Sequence, residues 1–174
     1  MSSILAIVIL SIAGSILISG LRTQDTAAAV TDATTSAQQV ARSVQAGVRN
    51  ASALSLTTGG DISSELLFAR VLDSAANSAT AHCQAWYYTT QNGGAVYTTT
   101  SSSAILPPNG PPSSGWTLLA TGVSASAAGG SVFLAPSNSR VELTFKVAAA
   151  SQPYVLISTT TYMQQSATVS TPCF

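Results

Sequence analysis

The chain has 174 residues, six basic and six acidic, so it is neutral and only 7% charged, against roughly 25% in ordinary soluble domains. Phosphate recognition needs clustered Lys and Arg, so the neutral composition argues against nucleic acid, and none is evident as a partner. Solubility must rest instead on the Ser, Thr, Asn and Gln that crowd the chain after Leu56, a surface suited to the outside of a cell.

Residues 1–21 carry no ionisable side chain, and Arg22 follows at once. At ~1.5 Å per helical residue, residues 4–21 are long enough to cross a hydrocarbon layer of ~30 Å. A secretory signal would start with basic residues, keep its apolar core to roughly 7–15 residues and end in an Ala-x-Ala-like site. Only Met1, Ser2 and Ser3 precede Ile4, so the expectation is a processed chain whose leader has been removed.

Helical patterning continues past Arg22. Apolar residues recur at Ala29, Val30, Ala33, Ala37, Val40, Ala41, Val44, Val48, Ala51 and Leu54, the three-and-four spacing of one helix face. No proline occurs before residue 107. Gly14, Gly20 and Gly47 weaken a helix by only ~1 kcal/mol each relative to Ala. The expectation is one helix of about fifty residues and ~80 Å. Its first half, 1–21, is bare and apolar; its second half, 22–56, is one-sided.

About 120 residues then remain, enough for one small domain with its own core, spanning 57–174. Thr57 to Asp61 are turn formers. Residues 63–73 suit either a strand or a short helix, with strand preferred and Leu66, Phe68 and Val71 as its buried residues; 75–80 read as a connection. Residues 82–90 (HCQAWYYTT) and 95–100 (AVYTTT) flank Gln91, Asn92, Gly93 and Gly94, and Asn-Gly marks a β-hairpin. Residues 101–115 hold four of the seven prolines and are expected to wander over the surface as a loop, because proline lacks the ladder donor. Further strands are expected at 116–123, 132–135, 140–147 and 154–163. Of these, 140–147 alternates throughout, with Val141, Leu143, Phe145 and Val147 on one face, as in an antiparallel sheet with one dry side. The dry side calls for the one-sided half of the helix. The expected fold is α+β, a long N-terminal helix packed against a small antiparallel sheet.

Cys83 and Cys173 are either unrelated thiols or a staple that closes the tail onto an early strand. The staple is the reading taken, and it fits an oxidising exterior.

No constellation for catalysis emerges. His82 is the only histidine, and in a strand its side chain points away from that of Cys83. Asp25, Asp32, Asp61, Glu65, Asp73 and Glu142 show no metal-ligand spacing. The expectation is therefore no enzyme activity, no metal and no cofactor. Trp86, Tyr87, Tyr88 and Tyr97 could line a ligand platform or, more ordinarily, form core.

A chain that opens on an uncharged helix of about twenty residues, continues as an amphipathic helix and ends in a small β domain with a late disulfide resembles the type IV pilins and pilin-like proteins. The specificity of the resemblance rests on residues 1–45 and the missing leader. The segments 41–52 and 83–88 and the Cys173-Phe174 ending resemble minor-pilin-type chains of high-GC Gram-positive bacteria. The resemblance implies a prepilin peptidase, a pilus assembly machinery and membrane lipid before assembly, with a cell-surface fibre of this chain and other pilins afterwards. The residues that would pack the fibre axis are Met1, Ile4, Leu5, Ile7, Leu10, Gly14, Ile16 and Gly20. One departure stands: most bacterial pilins carry Glu at the fifth mature position, where this chain has Leu5. The rival reading is a singly anchored extracellular binding domain that does not polymerise.

Overall fold

A computed structural model describes residues 2–59, 63–72, 81–112, 114–127, 130–137, 139–150, 152–164 and 173, with the side chains of 2–13, 17, 18, 21 and 136 left aside. The element order is helix α1 (Ser2–Arg49), then β1 (Ala51–Thr58), β2 (Ser64–Leu72), β3 (Ala81–Thr89), β4 (Ala95–Ser101), β5 (Thr117–Thr121), β6 (Val123–Ala125), β7 (Phe133–Ser137), β8 (Arg140–Ala149) and β9 (Gln152–Tyr162). The expected connection at 75–80 lies outside the described residues.

The architecture corrects the expected helix on one small sheet. The protein is rich in strand and builds two antiparallel sheets. The first is a five-stranded meander, β1-β2-β3-β4-β5; in the second, β8 pairs with β9 on one side and with β6 and β7 on the other. The chain changes sheets at Gly122, whose φ of +68° separates β5 from β6. Positive φ is cheap for glycine alone, so a single residue splits what reads as one continuous strand.

The helix also ends earlier than its apolar pattern implies. It stops at Arg49, and the stretch read as its last turns, 51–56, belongs to β1. Leu54, Leu56 and Thr58 lie two apart, a period that suits a strand as well as a short helical end. Pairing with β2 decides the matter, since Ala51–Thr58 runs antiparallel to it. The carbonyls left at the helix end find partners in the head: the Leu72 N–H at the end of β2 donates to the Asn50 carbonyl (3.1 Å) and the Gln164 N–H, just past β9, to that of Arg49 (3.3 Å).

One core joins the helix to the inner faces of both sheets. Ala33, Ala37, Val40, Val44 and Val48 of α1 meet Leu67, Trp86 and Val96 of the first sheet and Val141, Leu143, Phe145 and Val147 of the second. Each fully buried Val or Phe contributes roughly 1.5–3 kcal/mol relative to exposure. Gly47 does more than weaken the helix here. A Cβ at that position would collide with the Trp86 indole, so the glycine is what lets β3 approach the backbone, and the Trp86 N–H then donates to the Ser43 hydroxyl at 2.9 Å.

A second, smaller cluster covers the outer face of the first sheet. Leu66, Phe68, Ala85 and Tyr87 are buried there beneath Ile105 and Trp116. The proline-rich segment 101–115 runs over the surface, and its Ile105, together with Trp116, packs on the outer faces of β2 and β3, while Leu106 stays 82% exposed.

Candidate functional site

Of the residues singled out for assembly, Gly14, Ile16 and Gly20 are the ones whose surroundings the structure describes. Met1 and the side chains of Ile4, Leu5, Ile7 and Leu10 lie outside the described residues. Gly14 and Gly20 are described, and a Cβ on either would meet nothing within 4 Å. Ile16 between them is 66% exposed. Further along, the Thr26 hydroxyl accepts from the Gln152 amide at 3.5 Å, and among the described residues Ala33 is the first buried apolar side chain of the helix.

From Ala33 onward small residues and valines face inward and bring the helix against β9 and β8, then against β5. The Gln45 amide donates to the Thr159 hydroxyl (2.8 Å), tying helix to sheet across 114 positions.

Around the boundary of these zones, Thr23, Thr31 and Thr34 turn their hydroxyls onto the carbonyls four residues back, Ser19, Ala27 and Val30, at 2.7–2.9 Å. Each hydroxyl is thereby satisfied within the helix. A surface arriving there displaces little water from them. The exposed charges of this stretch are Arg22, Asp25 and Asp32. Among the described residues, no helix is long and apolar enough to cross a membrane.

A second feature is a cleft of ≈560 Å³ where the two sheets meet, lined by Glu65, Tyr88, Thr90, Ser124, Ser131 and Lys146 among others. Glu65 at its wall acts as a clasp. Its carboxylate accepts the N–H of Val132 (3.0 Å) and of Phe133 (2.7 Å), joining β2 to the start of β7. Burial pushes the Glu65 carboxyl above its ordinary range, while those two N–H groups and the Ser131 side chain pull it back. Burial also raises the neighbouring Tyr88 phenol, and the Glu65 charge adds to the rise. Lys146 leans away, its Nζ 4.4 Å from the ring centroid of Tyr154. The spacing of residues gave no sign of the clasp, because Glu65 bonds backbone groups 67 positions distant.

The remaining candidates resolve plainly. Cys83 and Cys173 form a disulfide with Cα atoms 5.3 Å apart, which closes a loop of 90 positions and removes Cys83 as a thiol nucleophile beside His82. Trp86, Tyr87 and Tyr88 are buried, on alternate faces of the first sheet; Tyr87 stacks edge-on against Trp116 with centroids 5.9 Å apart. They make no exposed platform. Among the described residues, no group of His, Cys, Asp and Glu is placed to hold a metal ion. No protein-family model, no curated protein and no solved structure matches the chain.

Proposed function

We propose that this chain is a structural subunit of a type IV pilus-like extracellular filament that polymerises through its N-terminal helix. The observation that carries the reading is the contrast along α1: residues 1–21 have no ionisable side chain, yet Gly14, Ile16 and Gly20 have no cover from their own head. An apolar rod in that state must be hidden from water, first by lipid and then by copies of itself. Lipid suits it because a helix satisfies its own backbone. Copies suit it because Gly14, Gly20 and the nearby serines permit close approach, and a repeated rotation and rise produces an open fibre. The same reading gives the chain its partners: other pilins, an assembly machinery, a prepilin peptidase and, before assembly, membrane lipid.

Negative-stain microscopy of fibres sheared from cells, with mass spectrometry of their amino termini, tests the proposal. Fibres containing this polypeptide support it; fibres without it, or a chain that stays monomeric in detergent and lipid, favour the singly anchored binding domain. The hydroxyl-lined cleft beside Glu65 is the one feature that favours this second reading.

A further inference from the structure

Past Arg22, helix α1 carries four more charges, and their spacing is regular. Asp25 and Asp32 lie seven residues apart, as do Arg42 and Arg49, and each acid precedes its matching base by seventeen positions. All four are exposed. None has an ion-pair partner among the described residues, where the ion pair is Arg140 with Glu142; Arg42 reaches only the Gln38 amide oxygen, at 3.5 Å.

Seven residues are nearly two helical turns, so the two acids share one face and the two bases share another, about 100° further round. Neither face is the one that Ala33, Ala37, Val40, Val44 and Val48 turn to the head. Two parallel copies at equal height would set like charges side by side. Displaced by ten residues, Arg22 would meet Asp32 and Asp32 would meet Arg42, but Arg22 lies about 80° round from Asp32, so the two pairs do not share a contact line. A displacement of seventeen residues matches both acids with both bases on one consistent pair of faces.

We infer that Asp25 and Asp32 of one copy dock on Arg42 and Arg49 of the next, fixing an axial offset of seventeen residues, about 25 Å, between neighbouring parallel helices. This rests on the fibre reading and adds its register: apolar packing supplies the attraction, and the charges select which height is allowed. The interface is heterologous, an acidic face on a basic one, so it repeats without closing.

The test uses the full chain in fibre-forming cells. The single reversal Asp32→Arg is expected to reduce sheared fibres at least tenfold, and the swap Asp32→Arg with Arg49→Asp to restore them to within twofold of the unaltered chain. Thermal unfolding of each purified variant checks that the head is intact. In parallel, Ala28→Cys with Ala46→Cys, both exposed, should give covalent ladders on oxidation, whereas Ala28→Cys with Gln38→Cys should not. A folded double swap that still fails to assemble, or ladders from the second cysteine pair alone, overturns the register and leaves the fibre standing. Absence of the unaltered chain from fibres takes both down.

Discussion

Between Ala33 and Val48, α1 buries five side chains against its own sheets, whereas a Cβ at Gly14 or Gly20 of the same helix would meet nothing within 4 Å and Ile16 is 66% exposed. Both zones belong to one α-helix; what differs is where the covering surface comes from. The head supplies it for the C-terminal half. In the proposed fibre, other copies supply it for the N-terminal half. The comparison teaches that the two halves answer to different tests, one of folding and one of assembly.

The sharpest way to break the covered half is Trp86→Ala. It empties the space under Gly47 and leaves the Ser43 hydroxyl without its donor, and it should cost about 3–5 kcal/mol, read as a lowered midpoint in denaturant unfolding of the full chain. An unchanged midpoint would show that the helix is not anchored at β3. Next, Cys173→Ser should remove about 2–4 kcal/mol by releasing the 90-position closure from the unfolded state, with the same loss produced by reductant on the unaltered chain.

Smaller still is the dependence on pH at Glu65. Burial raises its carboxyl, so the folded state holds this proton more tightly than the unfolded one. The associated stability is fully present below the ordinary carboxylate range and is lost as pH rises through the folded value. The stability of the unaltered chain relative to Glu65→Gln should therefore decline from pH 4 toward neutrality; a rise would mean that the N–H groups of Val132 and Phe133 outweigh burial. At the bottom of the scale stands Ile16→Asp, which should leave head stability within ~0.5 kcal/mol yet eliminate the chain from fibres. If head unfolding shifts strongly with Ile16→Asp, the division of the helix into two regimes is wrong.

Much of this was legible locally. The Asn-Gly hairpin between β3 and β4 and the alternation of β8 are carried by neighbouring residues, and the structure places both. What escaped depends on distant pairing. Residues 51–56 fit either a helix end or a strand until β2 arrives beside them. One sheet became two because Gly122 admits a conformation that its neighbours do not. The roof formed by Ile105 and Trp116 is invisible in a run of prolines and serines, since it depends on Tyr87 and Phe68 facing outward from a sheet not yet built.

The disulfide sets a mechanical limit. Strands β4 to β9 and β3 from Cys83 onward fall inside the covalent ring between Cys83 and Cys173, and among the described residues β1, β2 and the start of β3 lie between that ring and the helix. Under a pull that runs from the helix to Cys173, the chain between helix and ring is residues 50–82, a reserve of roughly 110 Å. Beyond it the load passes to sulfur.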